Sequence, residues 1–260
     1  MLDFHNHLMP GVDDGAADIA ESRGGLRVLQ SHGVHRIVTT PHLRASLTRR
    51  PAELARALDK LDEAWAALES LAEAEFPDLR IDRGVELMLD VPRPVLDDPR
   101  VRLAGTSFVL VEFPFMRIPP QRTNAVRDIA RGGVTPVVAH PERYDGMSSN
   151  YALVEDWKDA GAVIQVNSGS LLGYYGSRVE RLAWLMLRDG LADYLSSDYH
   201  SRGKCAVGPC TEMMHSKGAD CEYRSLVITN PERLFASELP LPVPPVTPAE
   251  PVWKRMLPWR

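Results

Sequence analysis

His5 and His7 stand two positions apart in Asp3-Phe4-His5-Asn6-His7, and so do Asp198 and His200 in Ser197-Asp198-Tyr199-His200. On an extended chain, residues two apart point to one face, so each pair can converge on a single point. Neutral imidazoles and carboxylates are the usual ligands of Zn, Mn, Fe and similar divalent ions. Further groups of this kind follow or interrupt short apolar runs: His42 after Thr40-Pro41, Glu86 between Val85 and Leu87, Glu112 in Val109-Leu110-Val111-Glu112-Phe113, His140 in Ala139-His140-Pro141-Glu142-Arg143, and the polar pair Asn167-Ser168. A carboxylate within an apolar strand is costly unless it is paired or metal-bound. Each residue alone has a plainer explanation. His-x-His is a weak motif, Glu86 could be a solvated edge residue, and lone histidines such as His32 and His35 read as surface or capping residues and receive no role. The coincidence of all of them at the ends of apolar runs is what points to a metal site. Asp13 and Asp14, in Gly11-Val12-Asp13-Asp14-Gly15, lie just before a helical pattern. One of them suits a helix N-cap and turn, and Asp14 is the candidate for the metal site.

The runs themselves read as strands over 2–7, 36–40, 81–87, 108–113, 135–139, 162–167 and 194–197. Helical periodicity is clearest over 51–76, where Leu54, Leu58, Leu61, Trp65, Leu68 and Leu71 form one stripe, with Pro51 suited to the first turn. Other helices are expected over 17–32, 123–131, 153–160 and 178–189, with Gly33, Gly132 and Gly161 as stops. Strands alternating with helices imply an α/β fold with a parallel sheet and helices outside. Seven strands in 260 residues suit a closed or nearly closed β/α barrel, in which all strand ends meet at one rim where active sites are built. An open doubly wound sheet is the competing topology, but no G-x-G-x-x-G follows the first strand.

Composition narrows the function. The chain has 44% hydrophobic and 25% charged residues and a formal net charge of −5, which suits one globular core and disfavours nucleic-acid binding. The start, Met1-Leu2-Asp3-Phe4-His5, has no basic stretch before an apolar one, so no signal peptide is expected. No apolar run reaches the ~18 residues of a spanning helix. Three cysteines make a disulfide framework improbable and a reducing, cytoplasmic setting the expectation. None of Cys205, Cys210 and Cys221 is followed six positions later by arginine, so a cysteinyl-phosphate route is not expected. Cys205, Cys210, His215 and Cys221 lack C-x₂-C spacing and read as ordinary side chains rather than a zinc site. The segment PLPVPPVTPAEP from Pro240 to Pro251 favours extended polyproline or disorder. The expected organisation is one domain over 1–238 and a Pro-rich tail over 239–260, whose VWKRMLPWR end could meet a partner, a membrane surface or another copy of the chain, but more simply packs on its own domain or frays.

The stretches "DFHNHLMPGVDDGA", "TPHL", "GVELMLD", "LVEFP", "VVAHPERY", "QVNSGSLLG" and "SSDYH", in this order over residues 3 to 200, resemble the PHP (polymerase and histidinol phosphatase) superfamily, and most closely its bacterial capsule and exopolysaccharide protein-tyrosine phosphatases. The resemblance implies a single-domain, distorted (β/α)7 TIM-like barrel with three divalent ions at its rim, Mn the first choice and Fe, Zn or Co alternatives. His5, His7, Glu86 and Asp198 would hold one ion; Glu86, Glu112 and His140 a second; Asp14, His42 and His200 the third. His42, His200 and Arg143 would be the catalytic residues, with Arg143 gripping phosphate and Arg44, Asn167 and Ser168 completing the substrate contacts. Related proteins often carry His or Asn where this chain has Leu43-Arg44, and a small residue at Tyr199, which puts the pocket shape in question. The implied activity is hydrolysis of phosphotyrosine by metal-activated water, on a partner that is the tyrosine autokinase of polysaccharide export. Metals lower the pKa of bound water to about 7, the guanidinium fork fits phosphate oxygens, and a phenol of pKa ~10 leaves readily, so no general acid is nominated. A small-molecule phosphoesterase such as histidinol-phosphate phosphatase and a non-catalytic binding module are the alternatives.

Overall fold

The computed structural model describes residues 1–118 and 123–246. The strands are β1 (Leu2–Asn6), β2 (Arg36–Thr39), β3 (His42–Arg44), β4 (Arg80–Arg83), β5 (Glu86–Met88), β6 (Phe108–Glu112), β7 (Thr135–Ala139), β8 (Val163–Asn167) and β9 (Tyr194–Ser196). Every pairing between them is parallel, in the orders β1-β2-β4 and β3-β5-β6-β7-β8-β9. The chain is thus a mixed α/β structure. The expected strand 81–87 is broken in two at Gly84-Val85, and the expected strand 36–40 is followed across Thr40-Pro41 by a further short strand, β3; the sheets separate at these two points. Gly84 lies where a Cβ would come within 2.9 Å of the Arg102 carbonyl, so the backbone there is pressed against its neighbour.

At the interruptions each ladder continues within its own sheet: Gly84 N–H donates to Thr39 at 3.0 Å beside β2 and β4, and Glu86 N–H to Pro41 at 3.0 Å beside β3 and β5. Backbone hydrogen bonds join the two sheets where β1 meets the end of β9: Asp198 N–H donates to His5 at 2.7 Å and His7 N–H to Tyr199 at 2.8 Å. Asp3 clasps this junction. Its carboxylate accepts from the Ser196 hydroxyl, from Ser197 N–H (2.8 Å), from the Ser197 hydroxyl (2.7 Å) and from Asn6 Nδ2 (3.2 Å). Burial pushes the Asp3 carboxyl up from its usual range, and the donors from Ser196 and Ser197 oppose that.

The helices are α1 (Ile19–Ser31), α2 (Pro51–Glu75), α3 (Thr123–Arg131), α4 (Leu153–Asp159), α5 (Ser168–Leu171), α6 (Ser177–Arg188), α7 (Val207–Ser216), α8 (Asp220–Arg224) and α9 (Asn230–Phe235). Asp18, rather than Asp13 or Asp14, caps α1, accepting from Ala20 and Glu21 N–H at 2.9 Å. Gly33 and Gly161 take positive φ after their helices, but after α3 it is Gly133 (φ 81°), not Gly132, that turns left-handed. On α2 only Leu58, Leu68, Leu71 and Ala72 are buried; Leu54, Leu61 and Trp65 are partly buried. The main core gathers side chains such as Phe113, Tyr144, Trp157, Ile164 and Leu195.

The expected boundary at 238/239 is not a packing boundary. Residues 239–246 have no regular structure, but Val243 and Val246 are buried in the main core, Val246 N–H donates to Leu187 (3.0 Å), and the Asn230 amide brackets Leu241. Apolar valines between the prolines explain this: the extended chain can still lay them on α6. Trp253, Lys254, Arg255, Leu257, Trp259 and Arg260 lie outside the described residues. No described helix is long and apolar enough to cross a membrane.

Asp3→Ala is expected to cost about 3 kcal/mol of stability, because it strands buried donors on Ser196 and Ser197. Urea denaturation measures this; an unchanged midpoint would show that the clasp contributes nothing.

Candidate metal centre

The nine expected ligands come from seven stretches of chain yet converge. His5 Nε2 lies 3.4 Å from both Glu86 and Asp198, and His7 Nε2 lies 3.4 Å from the same two carboxylates. His140 Nε2 is 2.9 Å from Glu86. His42 Nδ1 faces Glu86 (3.1 Å) and Glu112 (3.2 Å), while its Nε2 faces Asp14 (3.4 Å), which also meets His200 Nε2 (3.5 Å). Four overlapping groups could each hold an ion: His7, Asp14, His42 and His200; His5, His140 and Asp198; His5, His7 and Glu86; and His42, Glu86 and Glu112. The grouping differs in detail from the expected sets, since His140 falls with His5 and Asp198, and His42 reaches Glu86 as well as Asp14. Ligand atoms about 2.1 Å from one tetrahedral ion lie about 3.4 Å apart, which is the recurring separation here.

The hydrogen-bond network aims the imidazoles inward. Gln165 Nε2 donates to Asn167 Oδ1 (2.8 Å), so its Oε1 must be what accepts from His5 Nδ1–H (2.9 Å). Asp13 accepts from His7 Nδ1–H at 2.7 Å, and the Asp198 carbonyl accepts from His200 Nδ1–H at 2.9 Å. Each of these rings therefore turns Nε2 toward the cluster. His5 Nε2, His7 Nε2 and His140 Nδ1 are buried without any hydrogen-bond partner. Orphaned buried nitrogens need an explanation, and His5 and His7, each fixed by an outer acceptor with Nε2 left free, have the arrangement of metal-bound histidines. The residues present thus fit divalent ions.

Charge tells the same story. Burial works against every ionised group here, yet His5, His140 and His42 hold the Glu86 carboxyl well below the usual range, and His5, His7, His140 and Arg143 do the same for Asp198. Burial also opposes the imidazolium forms, but Asp13, Asp198 and Glu86 hold His7 well above its ordinary value, and Glu112 and Glu86 push His42 up to about 10. His200 goes the other way, lowered by burial and by His7 beside it. Acids this concentrated draw protons onto the histidines; a divalent cation can replace those protons, because an imidazole ligates in its neutral form.

Local backbone explains the positions. The loop 10–17 is fastened to His7: Ala16 N–H donates to the His7 carbonyl at 2.9 Å, and a Cβ on Gly15 would lie 2.0 Å from that same oxygen. Only glycine allows this approach, and it sets Asp13 on His7 and on His42 N–H (3.2 Å) and Asp14 over the cluster. His140 (φ 34°) and Asp198 (φ 52°) are left-handed non-glycine residues, a strained conformation that clusters at functional sites.

Arg143 pairs with Asp198 and stacks 4.3 Å over the Tyr175 ring. Asn167 is buried and donates to Asp198 at 2.8 Å, so it steadies a carboxylate. Arg44 is exposed beside His42 and Glu112 around a hollow of about 330 Å³. Ser168 is not brought to this face: it is buried at the start of α5, along a wall shared with Val34, Val207 and Tyr223. Tyr199 does not shape the pocket either; it packs with Leu8, Cys205 and Val207, its hydroxyl donating to the Ser201 carbonyl. Burial pushes the Cys205 and Cys210 thiols up to about 11 and about 12, and Cys221 is exposed. Sequence reasoning missed Asp13, Gln165, Glu142 and Tyr175. Gln165 shares a strand face with Asn167, a signal that was present. Glu142, which holds Asn167 N–H (2.9 Å) and the Ser170 hydroxyl (2.6 Å), gave none.

The chain is similar to known proteins over most of its length. The family model for capsular polysaccharide synthesis, CpsB/CapC, matches residues 1–236. The chain is 30% identical to the tyrosine-protein phosphatase YwqE of Bacillus subtilis, over 77% of this chain and 78% of that one. It is 27% identical to the tyrosine-protein phosphatase CpsB of Streptococcus pneumoniae, over 92% and 100%. A solved structure from work on YwqE and CpsB, described as unique metal-dependent tyrosine phosphatases, matches with TM-score 0.73 and 26% identity, covering 96% of this chain and 100% of that one. A histidinol phosphate phosphatase from Lactococcus lactis shares the fold at TM-score 0.51 and 12% identity, over 83% and 92%.

Asp13→Asn is expected to weaken Mn²⁺ binding by about 10- to 100-fold, because it loosens His7 without removing a ligand. Isothermal titration reads this; an affinity equal to that of the unaltered protein would deny Asp13 its orienting role.

Proposed function

The chain belongs to the CpsB/CapC family of capsular polysaccharide synthesis proteins, and we propose that it is a metal-dependent protein-tyrosine phosphatase. The observation that carries this is the pair of orphaned, inward-facing His5 and His7 nitrogens above the buried Glu86, with Arg143 at the same cluster.

Three ions are proposed, Mn²⁺ first among the candidates: one on His5, His7, Glu86 and Asp198, one on Glu86, Glu112 and His140, one on Asp14, His42 and His200. Bound ions would supply water of lowered pKa and polarise the phosphate oxygens. The chain's residues do the rest. Arg143, held by Asp198 and the Tyr175 ring, presents its remaining N–H groups to phosphate oxygens, where a guanidinium binds bidentately. His42 and His200, about a third exposed, flank the entrance and can contact the substrate as well as an ion. Arg44 adds positive charge on the Glu112 side. Asn167 and Gln165 keep His5 and Asp198 aimed. The phenolate leaving group needs little protonation.

The two bridged sheets are read as one distorted seven-stranded β/α barrel, in which β2 with β3 and β4 with β5 each count as one interrupted strand. Residues 1–246 then form one domain with the remaining tail appended. The substrate protein is inferred to be a phosphorylated tyrosine autokinase of polysaccharide export, met in the cytoplasm.

Purified protein with Mn²⁺ is expected to hydrolyse phosphotyrosine peptide in preference to histidinol phosphate, and to lose activity on chelation. Arg143→Lys should lower kcat/KM for the peptide by about 100-fold. Preference for histidinol phosphate would overturn the substrate assignment, and full activity in chelator would overturn the metal mechanism.

A further inference from the structure

A groove of about 1200 Å³ opens at His42 and Arg44 and runs along one face of α2, from Glu53 to Ala67, opposite the loop at Pro10–Val12. It is therefore continuous with the candidate metal centre. Its floor is apolar: Val12, Ile19 and Leu47 face Ala57, Leu61, Ala64 and Ala67 of α2 across it, and Leu61 remains partly exposed there. Its cations are uncommitted. Arg44, Arg56 and Lys60 enter no ion pair and no side-chain hydrogen bond among the described residues, whereas Glu53 is engaged by Arg50 at 3.1 Å. Of the lining acids this leaves Glu63, so three free cations face one free acid.

We infer that this groove docks the peptide chain flanking the phosphorylated tyrosine and selects acidic residues within about six positions of it. The inference rests on the phosphatase reading above. The stretch of α2 from Glu53 to Ala67 is about 21 Å long, the span of about six extended residues. The groove gives a peptide whose phosphotyrosine sits at the metal centre a path out past His42 and Arg44, along which its apolar side chains meet the floor while its carboxylates meet Arg56 and Lys60. A small phosphoester has no atoms that reach so far. Arg44 sits where the two sites join, which gives the departure at Leu43-Arg44 a function: the arginine continues the positive lining from the centre into the groove.

The test compares KM values with Mn²⁺ for three substrates: a phosphotyrosine peptide with Glu and Asp on both sides, the same peptide with Gln and Asn, and p-nitrophenyl phosphate. The unaltered protein is expected to favour the acidic peptide over the neutral one by about tenfold, as several exposed charge pairs would supply. The double variant Arg56→Glu/Lys60→Glu, both exposed helix positions, should abolish or invert that preference, with p-nitrophenyl phosphate as the reference for an intact centre. Equal KM values for the two peptides, or a preference that survives in the double variant, would overturn the groove assignment while turnover itself stands. Absence of turnover on all three substrates would instead overturn the phosphatase reading on which it rests.

Discussion

Four carboxylates, from Asp14, Glu86, Glu112 and Asp198, share a few ångströms with five imidazoles, and Glu86 sits among them with almost no access to water. Buried like charges are tolerated only when cations compensate them. Everything else about the rim follows from that demand. Histidines from four separate stretches have to lean on the acids, and their outer nitrogens have to be tied so that the inner ones stay aimed. Glu86 touches His5, His7, His42 and His140, so it is the point through which the groups communicate. On the proposed reading divalent ions take over the compensation, and the same charge that holds the site together becomes the charge that activates water.

The fold provides the rigidity this needs. Parallel strands deliver their ends to one face, and backbone bonds join the two sheets where β1 meets the end of β9. The seam between β1 and β9 brings His5 and His7 alongside Asp198, and Asp3 secures it from the far side of the strand. The relay from His5 through Gln165 and Asn167 to Asp198 then couples three strand ends into one unit. Loop 10–17, pinned by Gly15 onto the His7 carbonyl, adds Asp13 and Asp14 from outside the sheets.

Much of this was legible in the sequence, for identifiable reasons. Strong apolar periodicity placed α2 and α3, and runs of β-branched residues placed β6, β7 and β8. The ligands announced themselves because acids and histidines are rare at the ends of such runs. What could not be read had weaker local signals. The helices α7, α8 and α9 are short, without a marked apolar stripe, and lie in a stretch where no expectation was made. The breaks at Thr40-Pro41 and Gly84-Val85 depend on how neighbouring strands meet. Ser168 follows Asn167 and so looked like part of the rim, but the chain enters α5 there and turns the side chain away. Asp13 and Asp14 look alike in sequence; only the close approach at Gly15 decides that one steadies His7 while the other faces the cluster.

The most direct test of the central claim is a crystal structure of the Mn²⁺-loaded protein with anomalous diffraction at the manganese edge. Ions are expected within about 2.3 Å of the inward nitrogens of His5 and His7, with Glu86 shared between two of them. An active, manganese-loaded protein whose ions lie away from His7 and Glu86 would contradict it.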